Sequence, residues 1–83
     1  MVKPLPPDID LQKTKLWDAA YALEKEGRFS EAEPLYLQGW ALFPEPKFDW
    51  DWSESTVRNI SEFYLGWRKY PEAEQWAKEV FTH

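Results

Sequence analysis

Three acidic pairs recur two residues apart, Glu24 with Glu26, Glu31 with Glu33 and Glu72 with Glu74, and paired carboxylates are raw material for acid/base chemistry. Their setting points elsewhere. Two of the pairs fall where helices are expected to begin, where the backbone dipole favours negative charge, and all three suit solvated faces. The single histidine, His83, is the last residue, so it is poorly placed to organise a relay or a metal site. The chain has no cysteine, which removes disulfides and thiolate metal ligands together. No glycine-rich phosphate loop, nucleophile elbow or His-Glu metal motif is present. The expectation is therefore a protein without enzymatic activity, cofactor or metal. The remaining chemistry is that of rings. Six Trp, four Tyr and five Phe in 83 residues form an unusually large aromatic complement. Five adjacent positions alternate ring and carboxylate, Phe48, Asp49, Trp50, Asp51 and Trp52. Trp50 and Trp52 could be contact residues, since tryptophan often dominates binding energy. Alternatively the rings fold inward as filler while the aspartates face water, and filling is the preferred reading.

Fifteen acidic residues against ten basic ones leave a net charge of -5, with no Lys or Arg cluster to track a phosphate backbone. Nucleic acid is not expected as a partner, and a basic protein surface is. No stretch is apolar enough for a membrane span or a signal peptide, so a cytoplasmic location is expected.

The elements that carry these residues read as four helices. Residues 1–10 hold three of the seven prolines and are expected to form an extended arm. Asp8 or Asp10 then caps a helix from about Leu11 to Glu26, with Leu16, Ala19, Ala20 and Leu23 on one stripe and Gly27 ending it. Ser30 with Glu33 forms a capping box for a second helix, with Pro34 in its first turn and Ala32, Leu35, Tyr36 and Gly39 inward, continued by Leu42 and Phe43. Pro44 and Pro46 stop it. Residues 45–52 are an ordered loop, because a lone strand there would have no partner. Ser53 caps a third helix to about Trp67 with Val57, Ile60, Ser61 and Tyr64 inward. Pro71 opens a fourth, with Ala73, Trp76, Ala77 and Val80 inward and Phe81 beside them. Trp40, Trp67 and Trp76 are expected in the core.

One phrase occurs twice: Gly27-Arg28-Phe29-Ser30-Glu31-Ala32-Glu33 and Lys69-Tyr70-Pro71-Glu72-Ala73-Glu74. Each copy sits between two helices, which makes the chain a pair of helical hairpins, residues 11–44 and 53–83. With Leu16, Ala19, Ala20, Leu23, Ala32, Tyr36 and Pro44 in the first and Val57, Ile60, Ser61, Tyr64, Ala73 and Ala77 in the second, it resembles the tetratricopeptide repeat (TPR) family. Ala73 follows Ala32 by 41 residues, longer than the roughly 34-residue unit usual for the family. The longer period and the run Glu31-Ala32-Glu33-Pro34-Leu35-Tyr36 look like the repeats of kinesin light chain. The Trp and Leu-Gly positions of the pattern are substituted.

The resemblance implies an all-α fold, a right-handed α-solenoid stack of four antiparallel helices, and a function in binding protein or peptide. By the repeat register, the inner face takes Trp17, Tyr21 and Glu24 from the first hairpin and Arg58, Glu62 and Leu65 from the second. Trp17 and Tyr21 could equally pack under the proline arm or a dimer partner. The Lys and Asn pairs with which chaperone-binding members clamp a C-terminal carboxylate are not at these positions. Repeat arrays usually close with a polar helix, which this chain lacks, so helix four would expose a flank formed by Trp76, Val80 and Phe81. A homo-oligomer, most simply a dimer, is expected from that flank. Two rivals to the adaptor reading are a small acidic inhibitor of the immunity-protein kind, steered to a basic target, and a self-assembling scaffold.

Overall fold

The computed structural model describes residues 3–82, and these are all-helical apart from loops and one isolated bridge. The helices are α1 (Pro7–Lys25), α2 (Phe29–Ala41), α3 (Ser53–Gly66) and α4 (Tyr70–Thr82), with a single 3-10 turn at Lys47–Asp49. The chain falls into two compact units. One is Pro4–Pro44, in which α1 packs on α2. The other begins at Glu45, takes in Lys3, and packs α3 on α4.

In the first unit the helix starts at Pro7, earlier than the expected Leu11, so the extended arm ends at Pro6. Proline suits a first helical position because its fixed φ is already helical and its missing N–H would have no partner there. Asp8 and Asp10 lie in the first turn instead of capping it, and the Asp10 N–H donates to the Pro6 carbonyl at 3.0 Å. The buried face also differs from the expected stripe. Ala20 is fully buried and Leu16 and Leu23 half-buried, but Ala19 is exposed, while Trp17 and Glu24 turn inward. Turning α1 this way covers an indole in place of a methyl group, and a ring removes far more apolar surface from water.

Ser30 does not cap α2. The helix already begins at Phe29 after Arg28, whose carbonyl accepts the Ala32 N–H at 3.1 Å. No side chain caps that end, and the Arg28 guanidinium instead holds the Glu31 carboxylate with two donors. Pro34 consequently sits inside the helix and not in its first turn. The N–H it lacks would have faced the Ser30 carbonyl, on an exposed residue where water can serve that oxygen. Ala32, Tyr36, Gly39 and Phe43 are buried and Leu35 and Leu42 half-buried, as the stripe predicts.

The second unit keeps its expected inward face. Val57, Ile60, Ser61 and Tyr64 are buried, joined by Thr56 and Phe63. Ser53 is the first helical residue and not the cap, because Trp52 takes the cap position at φ 73° and accepts the Thr56 N–H at 2.7 Å. The Ser53 hydroxyl turns back and donates to the Lys47 carbonyl, pinning the 3-10 turn. Pro71 occupies the first turn of α4, as expected, and Ala73 is buried with Trp76 and Ala77 half-buried. Trp40 and Trp67 are half-buried too. The side chains of Val80 and Phe81, with the flank they were expected to form, and His83 lie outside the described residues.

The two hairpin turns share their closing hydrogen bonds. After α1, Gly27 is left-handed at φ 77°, its N–H donates to Glu24, and the Arg28 N–H donates to Leu23, both at 2.9 Å. After α3, Arg68 is left-handed at φ 63°, its N–H donates to Leu65 at 3.0 Å, and the Lys69 N–H donates to Tyr64 at 2.9 Å. Both are Schellman closures, which satisfy helix-end carbonyls through one left-handed residue. The next helix then starts identically, Ala73 N–H to the Lys69 carbonyl mirroring Ala32 to Arg28. Where Ala20 lies fully buried in α1, α3 has Ser61, whose hydroxyl donates to the Ala73 carbonyl at 2.7 Å. Small residues at these four places let the helix pairs approach closely.

The loop between the repeats opens with a cis Glu45–Pro46 bond. It builds no sheet, yet it does find a partner: Lys3 and Trp50 form an isolated parallel bridge, with Lys3 N–H to Asp49 carbonyl at 2.8 Å and Asp51 N–H to Lys3 carbonyl at 2.7 Å. The expectation that nothing could pair with this segment therefore fails by one residue of the arm.

Candidate interaction surface

Of the first-hairpin candidates, Trp17 and Glu24 are engaged inside their own unit. The Trp17 ring meets Tyr36 edge-on, with centroids 4.8 Å apart and planes at 83°, and lies against Gly39. Its Nε1 is buried and finds no acceptor among the described residues. Glu24 accepts a 2.6 Å hydrogen bond from the Tyr36 hydroxyl. Burial first, and then this bond, pushes the Tyr36 phenol well above its ordinary range, so it stays a donor at neutral pH. Tyr21 alone of the three faces outward, 57% exposed, with the Lys25 ammonium 5.2 Å from its ring centre.

In the second unit Arg58, Glu62 and Leu65 are all exposed and spaced i, i+4 and i+7 along α3, so they share one outer stripe. Such a stripe, a cation and an anion beside an apolar side chain, can hold a partner helix or an extended segment. The loop divides. Phe48, Asp49, Trp50 and Asp51 are half-buried, whereas the Trp52 ring is 59% exposed. Trp52 is therefore not a filler ring, and the aspartates are not wholly in water.

Sequence reasoning missed Lys13. Its stem runs along the α1 seam, and its ammonium lies 5.3 Å from the Trp17 ring centre and 6.0 Å from that of Phe43. Burial pulls its pKa below the usual lysine value, opposed by the Asp10 carboxylate. The ring faces favour the cation while desolvation disfavours it. The i, i+4 spacing of Lys13 and Trp17 was the available signal. Lys69 over Trp67, 4.0 Å from the ring centre, is a second such pair, on an indole stacked against Tyr64.

Among the described residues no group of three or more His, Asp or Glu side chains gathers as metal ligands would, and no helix is long and apolar enough to cross a membrane. No protein-family model, no curated protein and no solved structure matches this chain.

Proposed function

We propose that this chain is a protein-interaction module built from two TPR-like hairpins, non-enzymatic and cytoplasmic, that holds a peptide or a partner helix on the exposed side of α3. The observation that supports this reading is the identity of the two hairpin turns, Gly27 with Arg68 and Ala32 with Ala73. It supports reading the hairpins as two copies of one unit, and repeat units act through surface. Of the expected contact residues, Arg58, Glu62 and Leu65 are exposed on α3 and Tyr21 is exposed on α1 of the other unit, while Trp17 and Glu24 are engaged inside their own unit. Lys13 and Tyr36, whose protonation is displaced by burial, are both engaged in packing, which favours binding over chemistry at these two positions. The net charge of -5 favours a basic partner and keeps the inhibitor reading as the second choice.

The test is a peptide library screened against the isotope-labelled full chain by amide chemical shift. Binders should move the signals of Arg58, Glu62 and Leu65, and the triple variant Arg58→Glu, Glu62→Lys, Leu65→Ala should keep the fold and lose them. Equal binding by that variant would refute the surface. Fast association that collapses with salt would favour the inhibitor reading. Self-association as a dimer belongs to the same proposal, and a sedimentation velocity run that shows only monomer at micromolar concentration would remove it.

A further inference from the structure

Lys3 meets the aromatic loop through four separate contacts. Two are the backbone hydrogen bonds to Asp49 and Asp51. The third places its ammonium 3.9 Å from the Asp49 carboxylate, and the fourth places it 5.9 Å from the Trp50 ring centre. An extended residue bearing a cation thus fits this edge with both its backbone and its side chain. The fit is a weak one for Lys3 itself. Its side chain and that of Asp49 are 62% and 45% exposed, and ion pairs in water contribute little. The pairing stops after one residue, because the loop turns at the left-handed Trp52 directly into α3. Beside the bridge stands Trp52, a bulky residue in the left-handed region with its ring in solvent, where glycine would sit without strain. Retained strain of this kind collects at recognition sites.

We propose that Lys47–Trp52 is a docking edge for an extended, lysine-bearing segment of a partner protein, and that Lys3 is its displaceable resident. The inference rests on the interaction-module reading and names a second contact and the partner's chemistry: backbone pairing to Asp49 and Asp51, and an ammonium received by the Trp50 face and the Asp49 carboxylate. The net charge of -5 attracts such a segment.

The test uses the isotope-labelled full chain and a capped heptapeptide, Thr-Val-Thr-Lys-Thr-Val-Thr, as probe. Lys3→Glu sets a like charge beside Asp49 and Lys3→Ala removes the ammonium without adding one, so one serves if the other unfolds. If the resident sits in place about nine-tenths of the time, losing about 1 kcal/mol of ammonium contact leaves it there about six-tenths of the time, so both variants should bind the probe about three- to four-fold more tightly than the unaltered chain. The amide of Asp51 and the indole of Trp50 should report it. A probe with Glu in place of Lys should bind at least about ten-fold more weakly than the lysine probe, as the Trp50→Leu variant should. Equal affinity across the Lys3 series overturns the proposal. So do loop signals that move on concentration alone, since a second copy would then be the occupant. Shifts confined to Arg58, Glu62 and Leu65 overturn it while leaving the α3 surface intact, whereas loop shifts that survive the α3 triple variant support the edge and count against α3 as the only contact.

Discussion

Replacing Gly39 by Ala should destabilise the protein, against the usual direction for such a change in a helix. Glycine inside a helix is worse than alanine by about 1 kcal/mol, so propensity alone predicts a gain. Space decides otherwise. A Cβ on Gly39 would stand 2.5 Å from Trp17 Cδ1 and closer still to Nε1, against roughly 3.5 Å for carbon atoms in comfortable contact. The indole cannot simply swing aside. Tyr36 meets it edge-on, and the Lys13 stem and ammonium lie along it. Separating α1 from α2 by about 1 Å would loosen a close-packed interface, and overpacking of this sort costs about 1–3 kcal/mol. Taking the upper part of that range less the propensity gain leaves a net loss of about 2 kcal/mol. For a chain of this size that lowers the melting temperature by roughly 8–16 °C. Thermal and urea unfolding followed by circular dichroism would measure it. The decisive arm is the same substitution in a Trp17→Leu background, where the smaller side chain removes the collision and Gly39→Ala should become neutral or stabilising by up to about 1 kcal/mol. A rise in stability in the unaltered chain, or the same loss in both backgrounds, would refute the packing derived for α1 on α2.

Three further outcomes follow from individual bonds. Tyr36→Phe removes the donor to Glu24 and should cost about 1–3 kcal/mol in urea unfolding. Because the folded-state pKa of Tyr36 is raised, its contribution is complete below the ordinary tyrosine pKa of 10.0 and is lost as pH climbs above it. Alkaline titration by tyrosinate absorbance should therefore show Tyr36 ionising late, together with unfolding, and Tyr36→Phe should reduce the late amplitude by one tyrosine. Arg68→Gly relieves a left-handed residue and should raise stability by about 0.5–1 kcal/mol, the strain removed exceeding the added freedom of the unfolded chain; the reverse change at Gly27 should lose a similar amount, and equal melting temperatures for all three proteins would contradict the paired-turn geometry. Ser61→Ala deletes a buried hydroxyl whose acceptor lies in α4, and about 1 kcal/mol should be lost, with the fold kept because the first hairpin manages with Ala20 at the matching place.

Much of the architecture was legible because it is local. A hairpin turn needs one residue that tolerates positive φ and two nearby helix ends, so Gly27 announced itself; Arg68 did not, since nothing in an arginine signals the left-handed conformation its neighbours impose. Ser30 and Ser53 carried strong capping signals and neither caps, because the first helical turn was already closed, by Arg28 two residues before Ser30 and by Trp52 directly before Ser53. The candidate site was legible only where it depended on helical spacing. Arg58, Glu62 and Leu65 share a face for reasons internal to α3, and they are exposed.

By itself the sequence determined four helices, their pairing into two hairpins of one design, and the burial of Ala32 and Ala73, since hydrogen bonds within a helix and the need to hide a small-residue seam act over a few neighbours. Tertiary structure decided which face of α1 turns inward, because the choice of Trp17 over Ala19 depends on the space left by Gly39 on another helix. It also decided that Lys3 meets Trp50, a pairing between segments far apart in the chain that neither segment encodes alone. Local preferences set what each element is, and the side chains it meets set which way it faces.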